Sequence, residues 1–411
     1  MSHILYSIRI IGRLPSENGL KLIPRALATS LKQTAQLHSV KIEGHPVRDY
    51  EPWPYKTRPY RWYHQIYEHS TKRMNENSKI VVVEGNIGTD KASLAKKIAE
   101  EFDMLYLPDV REEAIFINEN GFDQRELNSR LGKDRFYELK DLYTAKNPED
   151  ALGYGRTQLK MFELRFFNYI SALRHLLNTG QGVVVERSPW SDRCFADAMR
   201  KCGYFTREGK QYYNMLYAKP TQVIWMPHLT IYVDASVSQC KELISKRNNP
   251  LEKNSPLLTD NYLQCIEDSY KERVLPHLSK FGALLQYELD DIDKFDETVA
   301  HDMQKVNLEP PILMDEFKFD DWFEDKEWKW NLMRQKVADD EFYHRNYFLD
   351  QPLPFRAPEI CVQDFNNYDL VVNEHPSNRI PKGFDPEKDN VLFKAAGTAP
   401  FFTRVQPPTA S

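Results

Sequence analysis

The stretch VVVEGNIGTDKASLAKKI, residues 82–99, constrains this chain more than any other. An apolar run, IVVVEG at 80–85, ends in a glycine-containing turn, and the turn leads into SLAKKIAEEF, whose apolar residues recur at three- and four-residue spacing. This is the pattern of a buried strand, a tight loop and a helix that covers a sheet. A loop so placed can surround phosphate oxygens with successive backbone N–H groups and a helix N-terminus, as the G-x-x-x-x-G-K-[ST] loop does. The frame here is Gly85, Asn86, Ile87, Gly88, Thr89, Asp90, Lys91 and Ala92. A dinucleotide fingerprint, G-x-G-x-x-G, is excluded because Gly85 and Gly88 are three apart.

Two positions depart from the phosphate-loop rule. Asp90 stands where the second glycine belongs; if its carboxylate faces the phosphates, like charges about 4 Å apart repel by roughly 4 kcal/mol at an effective dielectric near 20. Ala92 stands where a hydroxyl would hold Mg²⁺, and Ser93 cannot replace it, since one further residue turns a helical side chain by about 100°. The loop therefore predicts weak triphosphate binding and a lost magnesium ligand.

Further apolar runs at 104–109, 182–188, 229–235 and 283–289 alternate with helical stretches such as RTQLKMFELRFFNYISALRHLL. Strands alternating with helices predict an α/β fold, a five-stranded parallel sheet flanked by helices. Ser236 followed by Gln239 has capping-box spacing and fixes a helix start after the fourth strand.

Composition excludes several classes. The 411 residues carry a net charge of −5, which argues against extended nucleic-acid binding. No apolar run approaches the roughly 18 residues of a membrane span. Cys194, Cys202, Cys240, Cys265 and Cys361 form no C-x-x-C pair, and the histidines have no zinc-site spacing, so reduced thiols and no metal site are expected.

Four segments are expected. Residues 1–42 carry Arg9, Arg13, Lys21, Arg25, Lys32 and Lys41 against Glu17 alone, the composition of a mitochondrial transit segment or a basic tail. Residues 43–78 form an aperiodic arm of aromatic, proline and basic residues, read as an anchor on another protein surface. Residues 79–308 are the α/β domain. Residues 309–411 form a helical and extended tail whose Trp322, Trp328, Trp330, Phe342 and Tyr347 are too many aromatics to leave in water, so the tail is expected to lie on partners.

EGNIGTDKASL resembles the EGNIGSGK-type loop of the deoxynucleoside kinases, and VVVERSPWSDRCFA is similar to that family's E-R-S segment with its following S-D-R, over about 79–306. The resemblance implies a P-loop deoxynucleoside kinase-like fold in which Gly85, Asn86 and Gly88 shape the loop and Lys91 holds a phosphate. It also implies that Glu186 assists a metal, Arg187 meets the substrate's 5′ end or its phosphates, and Gln158 reads the base. Plainer readings stand beside these: Glu186 and Arg187 as an ion pair, Lys91 paired with Asp90 or another acid.

The family's catalytic carboxylate follows its second strand in an E-P-V context, whereas this chain has Leu107-Pro108-Asp109-Val110, displaced by one position. The family's arginine-rich lid corresponds to KRNNPLEKNSP, with Arg247 and little else. No catalytic and no metal residue is therefore expected. The whole layout is similar to that of the kinase-derived accessory subunits of mitochondrial NADH:ubiquinone oxidoreductase, complex I. That likeness implies a peripheral, matrix-facing place with other membrane-arm subunits as partners, no nucleic acid, and neither FAD nor an iron–sulfur centre. It leaves a nucleotide in the old pocket open. The competing readings are an active mitochondrial deoxynucleoside kinase that uses ATP, and a weaker one, an RNA-binding adaptor.

Overall fold

β-Branched residues fill the apolar runs, and a run covered on both faces needs no alternation of polar and apolar positions. In the computed structural model these runs become five strands: β1 (Ile80–Gly85), β2 (Leu105–Leu107), β3 (Val183–Glu186), β4 (Leu229–Asp234) and β5 (Ala283–Glu288). They form one parallel sheet in the order β2-β3-β1-β4-β5. The structure describes residues 37–39, 51–118, 120–289, 298–308, 317–322, 326–338 and 364–379.

All five expected strands are present, and two are shorter than expected for definable reasons. β2 stops at Leu107 because Pro108 cannot donate to the ladder. β3 stops at Glu186 because Arg187 turns left-handed, with φ 66°. The register sets Val83 beside Glu186, Gly85 beside Val233 and Leu107 beside Val185. The chain segments leaving β1, β2 and β3 thus converge at one carboxyl edge, where open α/β sheets place their sites.

One face of the sheet is covered by the long helix Tyr154–Thr179 and its neighbours, the other by Lys91–Glu101 and Val299–Lys305. The long helix ends at Gly180, which is left-handed at φ 73° and so close to the arm that a Cβ would stand 2.0 Å from the Arg73 carbonyl oxygen. Only glycine meets both demands. The Ser236–Gln239 capping box opens the helix Val237–Arg247 as expected.

The tail departs from expectation. Trp322 and Trp330 are buried in this chain's own core, against Trp225 at 4.7 and 5.1 Å between ring centres, and the Trp322 indole donates to the Met226 carbonyl at 2.7 Å. The cause is an apolar stripe, Trp330, Met333 and Val337, which a helix Glu327–Lys336 lays against the long helix. Trp328 alone of these tryptophans is exposed. Phe342 and Tyr347 lie outside the described residues, as do residues 1–36 and 40–42 of the basic segment. The arm is also partly internal: Trp53, Tyr60 and His64 are buried, whereas Trp62, Tyr63 and Tyr67 are exposed. The Arg334 guanidinium, itself fully buried, lies 3.9 Å from the Tyr60 ring and 5.5 Å from the Trp53 ring.

Candidate functional site

The loop after β1 holds its shape through Gly88, with φ 96° and a hypothetical Cβ only 2.9 Å from the Cys240 carbonyl oxygen. Asp90 makes no such demand: its φ of −80° suits any residue, and its side chain is exposed. The carboxylate therefore looks to solvent and its repulsion of a phosphate is screened. Asn86 ties the loop to the helix Asp260–Ser269, donating to the Leu263 carbonyl at 3.1 Å and to the Glu267 carboxylate at 3.4 Å. The sparse lid's arginine, Arg247, donates to the Gly88 carbonyl at 3.1 Å.

Lys91 turns back into its own loop. Its ammonium donates to the Asn86 carbonyl at 2.8 Å and to Thr89 Oγ1 at 2.9 Å, with the Thr89 carbonyl at 3.4 Å. It pairs with neither Asp90 nor another acid, and neutral oxygens take the place of the carboxylate of the plainer reading. Burial, reinforced by the charge of Arg187, lowers its pKa to about 7.

The second half of the site is ionic. A stripe on the long helix, Gln158, Phe162, Arg165 and Tyr169, faces inward. The Gln158 amide donates to both oxygens of the fully buried Asp192 carboxylate, at 3.0 and 3.1 Å. Arg165 donates to Asp192 as well, and forks onto both oxygens of Asp109 at 3.0 and 3.2 Å. Arg187 meets Asp109 at 3.0 Å from the other side and donates to the Tyr270 hydroxyl at 3.1 Å. That hydroxyl donates in turn to Glu84, whose other oxygen accepts the Ser188 N–H at 2.8 Å. Both guanidiniums also lie over the Phe195 ring, at 5.3 and 4.6 Å.

These contacts fix charge states. Burial alone would raise the pKa of Asp109, yet Arg165 and Arg187 outweigh it and hold the carboxyl below its usual range. Glu84 is pushed up by burial, which its hydrogen bonds to Ser188 and the charge of Arg187 only partly offset. Arg187 keeps its left-handed backbone at a cost of about 1–3 kcal/mol, which the surrounding bonds must sustain. Glu186 accepts from the Tyr106 hydroxyl at 2.9 Å and from the Asp109 N–H at 3.4 Å. Arg187 is paired with Asp109 and not with Glu186, so the plainer reading of an ion pair between Glu186 and Arg187 does not hold.

The structure therefore brings Gly85, Asn86, Gly88, Lys91, Glu186 and Arg187 to one edge, with Gln158 reaching them through Asp192, Arg165 and Asp109. Sequence reasoning missed Arg165, Asp192 and Tyr270. Arg165 had a signal: it interrupts an otherwise apolar inward stripe, where an arginine must have a partner. Asp109 is ill suited to general-base work, which wants a pKa near the working pH. Among the described residues no group of three or more His, Cys, Asp or Glu side chains could hold a metal ion, and no helix is long and apolar enough to cross a membrane.

The family profile described as Deoxynucleoside kinase matches residues 81–308. The mitochondrial NADH dehydrogenase [ubiquinone] 1 alpha subcomplex subunit 10 of Bos taurus is 34% identical over 237 residues, covering 57% of this chain and 67% of that protein. The subunit of the same name from Mus musculus is 30% identical over 324 residues, covering 77% of this chain and 84% of that protein. A deoxyguanosine kinase of Dictyostelium discoideum is 27% identical over 218 residues, covering 51% of this chain and 64% of that protein.

Proposed function

Since the chain belongs to the deoxynucleoside kinase family, and shares 30 to 34% identity with subunits named for mitochondrial NADH dehydrogenase, we propose that it is a kinase-derived accessory subunit of respiratory complex I. In this reading it is peripheral to the inner membrane on the matrix side, meets other subunits of the membrane arm, and supports their assembly or stability without turnover of its own. One observation supports the loss of catalysis above the rest: the carboxylate that follows β2, Asp109, is clamped between Arg165 and Arg187. A base so neutralised cannot readily accept a proton from a substrate hydroxyl. Ala92 and the single lid arginine at 247 act in the same direction, since phosphoryl transfer depends on metal and arginine charge around the moving group.

The loop nevertheless fits a nucleotide's phosphates. Gly88 keeps the left-handed turn that aims its N–H groups, and Lys91 and Arg187 border it. We infer that a nucleotide held there would depend on these groups more than on magnesium. Two measurements test the proposal. Mitochondria solubilised in mild detergent and run on native gels should show the chain in the complex I band, and its depletion should lower NADH:ubiquinone activity; migration as a free monomer or dimer defeats the subunit reading. Purified protein given Mg-ATP and each deoxynucleoside should form no monophosphate above background. Sustained turnover on the order of 0.1–1 per second, absent from Lys91→Ala, would restore the kinase.

A further inference from the structure

Ten large hydrophobic side chains are exposed among the described residues, and six of them lie on two adjoining segments. Trp62, Tyr63, Ile66 and Tyr67 belong to the short turn of 3₁₀ helix in the arm; Trp328 and Leu332 are one helical turn apart on the outer side of Glu327–Lys336. The segments are joined beneath: Tyr60 donates to Asn331 at 3.0 Å, and Glu327 accepts from the backbone of Ser70 and Thr71. Aromatic side chains of this size and exposure present roughly 300–500 Å² of apolar surface, the range of the largest and often functional patch on a monomer.

The charges on these segments are sorted. Lys56, Arg58, Arg61 and Lys326 are exposed, whereas Glu68 is held between Arg73 and Arg334 and Glu327 is committed to Ser70 and Thr71. Among the described residues of the arm, the exposed acid is Glu51. A chain of net charge −5 thus carries a face that is locally basic and aromatic. The tip also protrudes: Trp62 is 65% and Ile66 75% exposed. A rigid protein partner would need a matching cleft for such a tip, whereas a lipid interface yields to it. Tryptophan and tyrosine beside lysine and arginine is the composition that settles at the headgroup level of a bilayer.

The geometry points to this face as a membrane-contact surface that inserts Trp62, Ile66 and Tyr67 among the headgroups of an anionic phospholipid bilayer, with the flanking cations on the phosphates. The inference rests on the proposed membrane-arm position only for access to a bilayer. The test uses the full chain with phosphatidylcholine vesicles that contain cardiolipin, and with vesicles of phosphatidylcholine alone. Co-sedimentation and a blue-shifted tryptophan emission are expected with the anionic vesicles only, weakening as salt rises. Trp62→Ser combined with Ile66→Ser and Tyr67→Ser should weaken binding by about tenfold or more, and Arg61→Gln by about fivefold, both with unchanged thermal unfolding. If the triple variant is misfolded, Arg61→Gln with Lys326→Gln provides the second reading. No binding to cardiolipin vesicles, or binding that these variants retain, overturns the inference. Variants that bind vesicles normally but no longer enter the assembly would make the face a protein contact and overturn it as well. A chain that binds vesicles yet enters no assembly defeats the proposed function alone.

Discussion

Two places in this molecule bury arginine, and they do so on opposite terms. In the cleft, Arg165 and Arg187 share Asp109, and Arg165 also holds Asp192, so each positive charge finds a carboxylate at hydrogen-bond distance. Although burial disfavours it, the charged form of Arg165 is held more firmly than in water. In the seam between the arm and the helix Glu327–Lys336, Arg334 has one carboxylate, Glu68 at 3.5 Å, which Arg73 also claims. Its other neighbours are the Asn178 side chain at 2.7 Å, the Ser70 hydroxyl at 3.4 Å and two aromatic faces. Burial, followed by repulsion from Arg73, lowers its pKa to about 10. The cleft matches its buried charges with carboxylates, and the seam packs its arginine at an electrostatic deficit. Buried charge in the first is a liability only when one partner is removed; in the second it is a liability already.

The largest expected effect breaks the cleft. Arg165→Met leaves Asp192 and much of Asp109 uncompensated and should cost roughly 3–5 kcal/mol of unfolding free energy in a denaturant titration. Adding Asp192→Asn should recover part of the loss, because it removes a charge that the first change orphaned. A single variant as stable as the parent would erase the contrast. In the seam, Arg334→Met should lie within about 1.5 kcal/mol of the parent, since Glu68 keeps Arg73 and desolvation of the guanidinium is relieved. A loss as large as that of Arg165→Met would show that the aromatic faces and Asn178 match a charge as well as carboxylates do.

A smaller effect comes from Lys91, whose folded pKa of about 7 lies below its ordinary 10.5. Between those values the unfolded chain binds the extra proton, so this residue's contribution to stability should rise with pH from about 7 to about 10 and be flat below. Comparing the parent with Lys91→Met across that window isolates it, and a difference that falls as pH rises would contradict the burial of the ammonium among neutral oxygens. The smallest effect concerns magnesium. Chelation should change the occupancy of any bound nucleotide by less than about twofold, because Ala92 supplies no ligand; loss of all bound nucleotide on chelation would reinstate the metal.

Much of this architecture was legible in the sequence. All five strands announced themselves because buried parallel strands are continuous apolar runs, and Ser236 with Gln239 marked a helix start through chemistry that is local. What failed was the assignment of surfaces. Trp322 and Trp330 read as partner contacts, because periodicity shows that a face is apolar without showing what covers it. In the site, the motifs drew attention to Lys91 and Arg187, whereas their contacts depend on the fold. Asp109 lies 78 residues before Arg187, and no spacing rule links a carboxylate leaving one strand to a guanidinium leaving the next. Asp90 drew attention through its sequence position, and its outward direction was a matter of backbone that composition does not carry.

The Tyr60 hydroxyl meets Asn331 across 271 residues of chain. At about 5–20 residues per second, a ribosome needs roughly 10–60 s to supply the second partner after the first. Throughout that interval Trp53 and Tyr60 lack Arg334 and Asn331, beside a sheet that can already be complete. The joint between the arm and the helix Glu327–Lys336 therefore closes only after the sheet has been synthesised, and its two sides are obliged to open together. Amide exchange should show residues 53–71 and 327–337 losing protection as one unit, ahead of the strands.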